Sequence, residues 1–388
     1  MQSGNALGRI IPQGLLGQAI YLFFFLPFFP FLATGFLPVN GMVSRPFKSS
    51  ERRRKSHFFK NIKIERCENG SETVFSTSMH ATCVEILVFG AGAIGSFFGG
   101  LLSRRNHVTL IGRIDHVDAI RQNGLKISGK TSMIAKPDAA TKVPHAAKPE
   151  IVLVTTKAYD TEAAMRLLAP FGKTSLFVTL QNGLDNADAI ARTASRVVAG
   201  TTAHGVTFIA PGEVRHAGVG ETILGEWTGV GESELVRLRD ILVDSGILTQ
   251  LTSEIRSELW AKLVVNASIN PVAALAAVPN GRIAKNRRLR SLSEAVCREA
   301  AAVAKAAGAQ IDADELVQRT ILVTKRTAAN RPSMLQDLDR HRRTEIDAIT
   351  GAVVRAAERL KLAAPLNEAL YALVRARETA LRNAVPGP

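Results

Sequence analysis

The chain has 388 residues, of which 46% are hydrophobic and 21% charged, so it holds enough apolar material for a large core and is not a disordered chain. At roughly 150 residues per domain, this length accommodates two or three domains and excludes a single small module. Lys and Arg number 49 against 34 Asp and Glu, a formal net charge of +15 that suits anionic partners. Ten basic and four acidic side chains lie in residues 1–83, so the rest of the chain is only moderately basic.

Cysteine and histidine usage argues against a metal or disulfide framework. Cys67, Cys83 and Cys297 are too few and too far apart for a disulfide scaffold or a zinc ribbon. The eight histidines include no HExxH pattern. We therefore predict no metal site and a reducing compartment, the cytoplasm.

The first 82 residues differ in composition from the rest of the chain, and we treat them as a separate extension. Residues 20–37 are almost entirely apolar, and eleven of the seventeen phenylalanines fall within the first 80 residues. A membrane span is one interpretation, but the run is short for that role and contains Pro27 and Pro30. A signal peptide is another, but no small-residue cleavage site follows. We favour a dispensable leader with Met79 as the working start, and any membrane association would run through residues 20–37.

A dinucleotide-binding unit begins at residue 84. Val84–Phe89 is a short β-branched apolar run typical of a buried parallel strand, and Ser96–Arg105 follows as a predicted helix. Between them lies a GxGxxG turn, whose glycines permit a tight turn, close approach of a pyrophosphate, and close packing of helix on strand. The predicted cofactor-binding residues of this turn are Gly90, Ala91, Gly92, Ala93, Ile94 and Gly95.

The end of the second predicted strand indicates which dinucleotide is bound. This strand, His107–Ile111, is followed by Gly112 and Arg113, and the first acidic residue is Asp115. An enzyme that uses NAD normally places an acid here for the ribose hydroxyl, whereas an arginine accommodates the 2′-phosphate of NADP. We therefore predict NADP(H), with Arg113 as the phosphate ligand.

Two further buried strands each lead into polar residues. Ile151–Thr155 is followed by Lys157, and Ser175–Leu180 is followed by Asn182. Because ligands bind beyond the carboxyl ends of strands in open α/β sheets, both side chains are candidates for the site. Taken alone, the first motif would favour a surface lysine and the second an Asn-Gly turn.

Residues 200–225 alternate short Thr-, Val- and Gly-rich segments in the manner of antiparallel strands with turns. We expect them to extend or cap the sheet. His204 and His216 lie here, and we expect both to be structural or exposed to solvent.

The second half of the chain is predicted to be helical. Lys262, Asn266 and Asn270 stand at positions i, i+4 and i+8 of an apolar segment, so they share one face of a helix. A solvent-facing stripe would normally contain Glu, Lys and Arg rather than two asparagines. We expect helix breaks at Pro271, Pro279, Pro332 and Pro365.

These motifs together resemble the ketopantoate reductase (2-dehydropantoate 2-reductase) family. The similarity runs from about residue 84 to the C-terminus through GAGAIG, TKAYD, QNG, WAKLVVNASINP, VPNG, PSMLQD and RRTEID. It implies an α/β fold, with an N-terminal Rossmann-type dinucleotide-binding domain over residues 83–250 followed by an all-helical C-terminal domain over residues 251–388. The family's activity is the NADPH-dependent reduction of ketopantoate to pantoate in coenzyme A biosynthesis.

The resemblance also assigns roles by position. Lys262 and Glu345 match the catalytic residues, and Lys157 and Asn182 match positions near the nicotinamide end of the cofactor. One departure is Thr350, where many members have Asn, but it is not a matched site residue. The matched substrate-binding residues are Asn182, Asn266, Asn270, Asn280 and Ser333.

Other functions stay open. The scaffold would equally serve a reductase of another small 2-oxo acid or of an imine, because substrate choice depends on pocket shape. A non-catalytic NADPH-binding sensor is a more remote alternative, since the residues matched to catalysis and substrate binding are all present. Nucleic-acid binding ranks last, because no recognition motif accompanies the charge. A homo-oligomer is left open.

Overall fold

The computed structural model describes residues 83–383. The predictions made for residues 1–82, including the apolar stretch at residues 20–37 and the start at Met79, lie outside the described residues. Strands precede residue 252, and helices alone follow it.

The first part of the described chain is built on an eight-stranded sheet. Its strand order is β12-β11-β8-β7-β6-β1-β2-β5. The strands are β1 (Glu85–Phe89), β2 (His107–Ile111), β5 (Asp138–Ala140), β6 (Ile151–Val154), β7 (Leu176–Thr179), β8 (Val197–Thr202), β11 (Thr222–Thr228) and β12 (Thr249–Leu251).

Six of these strands run parallel and direct their carboxyl ends to one edge of the sheet. β1 pairs with both β2 and β6, in registers such as Phe89 with Ile111 and Phe89 with Val154. β2 pairs in parallel with β5, and β6, β7 and β8 pair in parallel in turn. The connections turn to opposite sides of the sheet at β1 and β6, which is where a doubly wound sheet opens a ligand crevice. β11 is antiparallel to β8.

Helices cover both faces of this sheet because its strands are apolar on both sides. In β1, Ile86 and Val88 pack in a core with Phe97 and Phe98, whereas Leu87 packs in a second core with Met165. This pattern of continuous apolar strands is the one expected for parallel strands buried on both faces. The helices of this part are α1 (Ala93–Leu102), α2 (Ile114–Asn123), α3 (Thr161–Leu168), α4 (Asn186–Ala191) and α5 (Glu232–Asp244).

A separate four-stranded sheet lies beside the main one. Its order is β4-β3-β10-β9, with β3 at Leu125–Gly129, β4 at Met133–Ala135, β9 at Gly205–Ala210 and β10 at Glu213–Gly218. The expectation that residues 200–225 simply extend or cap the main sheet is therefore only partly right, since β9 and β10 leave it. Instead, β10 pairs in parallel with β3, although the two strands are distant in sequence. Local patterns do not reveal such a pairing.

The helical part is organised around one long central helix, α6 (Ile255–Ala276), which packs against the other helices. Among the described residues it is the one helix long and apolar enough to cross a membrane, but 78% of that stretch is buried inside the protein. The other helices are α7 (Asn280–Lys285), α8 (Arg287–Ala306), α9 (Ala313–Arg326), α10 (Ser333–Asp339), α11 (Thr350–Leu360) and α12 (Pro365–Asn383).

The break predicted at Pro271 is wrong. Pro271 lies inside α6, which continues for five more residues to Ala276. A proline inside a helix costs about 3 kcal/mol. Burial of large aliphatic side chains at about 1.5–3 kcal/mol each offsets that cost, and Ile269 and Val272 on either side of the proline are both buried.

Candidate active site

The glycine-rich turn between β1 and α1 has the geometry of a phosphate-binding loop. Gly90 has φ +112°, and a Cβ there would lie 2.6 Å from the backbone nitrogen of Thr156. A Cβ on Gly95 would collide with the carbonyl oxygen of Gly90, so only a glycine at this position lets α1 pack this closely against the loop. In contrast, a Cβ on Gly92 would meet nothing within 4 Å. Two glycines are therefore required for packing, and the third leaves open space in front of the loop.

The loop is held rigidly at the carboxyl ends of β1, β2 and β6. The backbone nitrogens of Gly90 and Ala91 donate to the carbonyl oxygen of Ile111 at 3.1 and 2.8 Å. The Thr155 hydroxyl donates to the carbonyl oxygen of Gly90 at 2.9 Å. The loop is thus fixed before any ligand arrives.

The start of α1 supplies the donors that an anion needs. Gly92 is the N-cap residue, and the next N–H groups, of Ala93, Ile94 and Gly95, have no carbonyl partner within the helix. Free N–H groups and the positive end of the helix dipole both favour a phosphate. With the open space at Gly92, these residues fit the pyrophosphate of a dinucleotide. Arg113 is exposed at the N-cap of α2, two residues beyond the Ile111 carbonyl that anchors the loop.

A polar cluster joins the sheet part to the helical part beyond the same strand ends. Glu345, 7% exposed, lies in the segment between α10 and α11. Its carboxylate accepts hydrogen bonds from the backbone nitrogen of Ala158 and from the side-chain amide of Asn182, both at 3.1 Å. The Lys157 ammonium lies 3.6 Å from the same carboxylate and donates to Asp337 at 2.7 Å. Three of the sequence-predicted residues, Lys157, Asn182 and Glu345, are thereby brought into direct contact.

The charges of this cluster shift the pKa values of its members. Burial alone would lower the pKa of Lys157, but the charges of Glu345 and Asp337 outweigh it and raise that pKa. Burial raises the pKa of Asp337, and the Lys157 charge opposes that rise. Lys157 is therefore a permanent cation at neutral pH.

Lys262 has the opposite electrostatic character. It projects from α6, where burial lowers its pKa to about 8 and the charge of Glu345 opposes the fall. A lysine with a pKa near 8 is mostly protonated at neutral pH yet releases its proton readily, which is the property required of a general acid. Asn266 and Asn270 follow on the same helix, Asn266 half-buried and Asn270 7% exposed.

Asn280 and Ser333 lie at the starts of two short helices. The side-chain nitrogen of Asn280 donates to the Thr327 hydroxyl at 2.8 Å, whereas its side-chain oxygen is buried without a hydrogen-bond partner among the described residues. Ser333 is the exposed first residue of α10, and Asp337 stands one turn further along that helix. α10 packs against α6, which carries Lys262.

Two polar residues of this region escaped the sequence-based selection. Asp337 was visible in PSMLQD, four residues after Ser333 and hence on the same helical face, and that spacing is the signal that could have identified it. Thr327 carries no motif, and only the fold brings it to Asn280. Among residues 83–383, no group of three His, Cys, Asp or Glu side chains is arranged to hold a metal ion.

His204 and His216 lie outside the polar cluster. They form a pair with 3.1 Å between ring nitrogens, against the ring of Phe97. Burial lowers the pKa of His204 to about 4, with the neighbouring His216 adding to the shift. Burial also lowers the pKa of His216, and both rings pack against Phe97 as structural residues.

Comparison with known proteins identifies the family of this site. Residues 86–229 match the family profile described as ketopantoate reductase PanE/ApbA, and residues 254–378 match that of its C-terminal part. The 2-dehydropantoate 2-reductase of Pyrococcus horikoshii is 37% identical over 298 residues, which cover 76% of this chain and 98% of that protein. That of Archaeoglobus fulgidus is 35% identical over 300 residues, with 76% and 98% covered.

Solved structures agree with this assignment. A PanE/ApbA family ketopantoate reductase from Ralstonia eutropha superimposes with a TM-score of 0.72 at 30% identity, covering 77% of this chain and 99% of that one. A D-mandelate dehydrogenase, solved with NADH and anilino(oxo)acetate, superimposes with a TM-score of 0.73 at 27% identity and the same coverage. Because both its sheet part and its helical part match the family, the chain belongs to the ketopantoate reductase family of oxidoreductases.

Proposed function

We propose that this protein reduces 2-dehydropantoate (ketopantoate) to pantoate with NADPH. The observation that carries the proposal is the buried Glu345, which lies beyond the strand ends that hold the glycine-rich loop and whose charge acts on Lys262, a lysine with its pKa lowered by burial to about 8. Relatives named 2-dehydropantoate 2-reductase at 35–37% identity support the choice of substrate.

The proposed chemistry needs a proton donor at one carbonyl oxygen. A dinucleotide held by the glycine-rich loop at Gly90–Gly95 and by Arg113 would provide the hydride for the carbonyl carbon of the substrate. Negative charge then develops on the carbonyl oxygen, and the Lys262 ammonium is positioned to neutralise it by donating a proton. The lysine becomes neutral and recovers its proton from solvent.

Glu345 has two tasks in this proposal. Its charge keeps the pKa of Lys262 from falling further with burial, so that the lysine remains protonated at neutral pH. The hydrogen bonds that it accepts from Ala158 and Asn182 hold the helical part against the carboxyl ends of the strands, where the cofactor would bind. Asn182 is thereby fixed by Glu345 and directed towards the reacting centre.

The substrate is proposed to bind to neutral donors and acceptors. A 2-oxo acid carries a carboxylate and a carbonyl, which accept hydrogen bonds from side-chain amides and hydroxyls at little desolvation cost. A negatively charged substrate is also favoured by the cationic Lys157. The proposed substrate ligands are Asn182, Asn266, Asn270, Asn280 and Ser333.

NADPH rather than NADH is the finer part of the proposal. Arg113 stands exposed at the start of α2, next to the anchored loop, and its guanidinium suits a 2′-phosphate. The structural relative D-mandelate dehydrogenase was solved with NADH, so the choice of cofactor has to be tested on this chain. We also propose a cytoplasmic location, which cell fractionation of the full-length chain would test.

A panel of substrates and cofactors tests the proposal. Oxidation of NADPH and NADH would be followed with ketopantoate, with 2-oxo acids that lack its hydroxyl, and with an aryl 2-oxo acid. We expect ketopantoate with NADPH to give the highest kcat/KM. Preference for the aryl acid would assign the protein to another 2-oxo acid instead.

A lysine variant tests the mechanism in the same assay. Lys262→Met should lose about 10²–10⁴-fold in kcat, the usual contribution of a general acid, with NADPH binding retained. Lys305→Met, which removes an exposed lysine of α8, is the matched control and should keep wild-type activity.

A further inference from the structure

A buried carboxylate on the C-terminal helix contacts the segment that carries Glu345. Glu378 of α12 is 2% exposed, and its carboxylate accepts a hydrogen bond from the backbone nitrogen of Thr344 at 2.6 Å. Its other oxygen accepts from the Arg375 guanidinium at 3.2 Å. Burying a carboxylate is costly unless its oxygens are paired, so its location calls for a specific role.

Residues on both sides of Glu345 are held by contacts with α12. Thr344 immediately precedes Glu345, and its hydroxyl accepts from the backbone nitrogen of Ile346 at 3.1 Å. Asp347, two residues beyond Glu345, accepts from the Tyr371 hydroxyl at 2.9 Å and lies 3.6 Å from Arg375. The segment is thus attached to α12 on each side of Glu345.

We propose that Glu378 is a positioning residue that acts through Thr344 to hold the Glu345 carboxylate in its contacts with Lys157 and Asn182. The proposal rests on the function proposed above for Glu345. It extends that function to a residue that touches neither substrate nor cofactor.

An amide cannot replace the carboxylate at this position. A carboxylate accepts from Thr344 and Arg375 at once, whereas a glutamine has one acceptor oxygen and an NH₂ group that would face one of the two donors. Glu378→Gln therefore keeps the shape of the side chain and disrupts one of these two hydrogen bonds. It tests position without leaving a cavity.

Glu299 of α8 offers a control, because it contacts the same helix, α12. Its carboxylate accepts from the backbone nitrogens of Leu366 and Asn367 at 3.1 and 2.8 Å, at the start of α12. Like Glu378 it anchors α12, but its contacts are with residues at the opposite end of the helix from Thr344. A role limited to docking this helix would make the two glutamine variants alike.

The experiment compares kcat, its pH profile and thermal stability for the wild type, Glu378→Gln and Glu299→Gln. We expect Glu378→Gln to lower kcat by about 10- to 100-fold, the size of effect that a small misplacement of a catalytic group produces. The charge of Glu345 raises the pKa of Lys262 against burial, so displacing that charge should move the alkaline limb of the profile to lower pH. Glu299→Gln should lower the Tm without moving that limb.

A double variant separates positioning from general damage. If Glu378 acts through Glu345, then adding Glu378→Gln to Glu345→Gln should cost little further kcat, because the two changes remove one effect. Full additivity of the two losses would overturn the proposal. If Glu378→Gln does not fold, Glu378→Asp, which draws the carboxylate back by one methylene, carries the same expectations.

The outcomes also distinguish the two levels of inference. If Glu345→Gln keeps wild-type kcat, the role proposed for Glu345 fails, and the positioning role fails with it. If Glu345→Gln is impaired while Glu378→Gln retains both the wild-type kcat and the wild-type alkaline limb, the positioning role alone is overturned.

Discussion

Lys157 and Lys262, the two lysines of the proposed active site, should respond in opposite directions when their charge is removed. Burial lowers the pKa of Lys262 from 10.5 to about 8. At 1.36 kcal/mol per unit, holding this lysine charged in the folded protein costs up to about 3 kcal/mol at neutral pH. Lys262→Met, which fills the same volume without charge, should therefore raise the free energy of unfolding while it abolishes most turnover.

The pH dependence gives the prediction its sign. In the unfolded chain Lys262 titrates near its ordinary pKa, so between about pH 8 and 10.5 the unfolded chain binds more protons than the folded one, and the stability of the wild type rises with pH. The advantage of Lys262→Met over the wild type should be full below pH 8 and disappear as the pH approaches 10.5.

Urea denaturation across this pH range would measure the effect. Lys157→Met is the control, because the pKa of Lys157 is raised and its charge stabilises the fold until the pH rises through that pKa. Removing the Lys157 ammonium leaves Asp337 and Glu345 with one donor fewer, which should lower the free energy of unfolding by about 1–3 kcal/mol. The loss should lie nearer the lower end of this range, because the Lys157 side chain is 36% exposed and screened by solvent. If Lys262→Met were destabilised by an amount independent of pH, the assignment of Lys262 as a strained cation would be refuted.

Three further predictions concern the cofactor and substrate residues. Arg113→Ala should raise the KM for NADPH by about tenfold or more and leave the KM for NADH unchanged. The control is Arg105→Ala, which removes an exposed arginine next to the opposite end of α1. Equal changes in KM for both cofactors would exclude Arg113 as the phosphate ligand. Gly92→Val should fold normally yet weaken dinucleotide binding measured by fluorescence titration, because its Cβ meets only the open space in front of the loop. Thr327→Val removes the acceptor that orients the Asn280 amide, and we expect a higher KM for ketopantoate with a nearly unchanged kcat; an unchanged KM would show that this orientation does not serve binding.

Local patterns were sufficient for the elements that surround the cofactor. Apolar β-branched runs and the spacing of Gly90, Gly92 and Gly95 predicted β1, its turn and the helix after it, although α1 begins at Ala93 rather than Ser96. The i, i+4, i+8 spacing of Lys262, Asn266 and Asn270 predicted one polar face on a long helix, which is α6. These features depend on neighbours within a few residues, so the sequence carries them directly.

Contacts between distant parts of the chain were beyond such patterns. Pro271 was expected to end a helix, but packing of the flanking apolar side chains keeps α6 intact. Residues 200–225 are expected to extend or cap the main sheet, but β10 leaves it and pairs with β3. In each case a tertiary contact outweighs a local preference of a few kcal/mol.

The sequence by itself determined the elements of the fold and, through its motifs, the family and the residue types of the site. Only the tertiary structure decided how the charges combine, because Lys157 and Asp337 lie 180 residues apart and meet where the strand ends face α10. The fold lowers the pKa of Lys262 to about 8 by burial, and it raises the pKa of Lys157 through the charges of Glu345 and Asp337. It also brings Glu378 to the segment of Glu345, since a side chain's solvation and charged neighbours are set by packing, which no local pattern records.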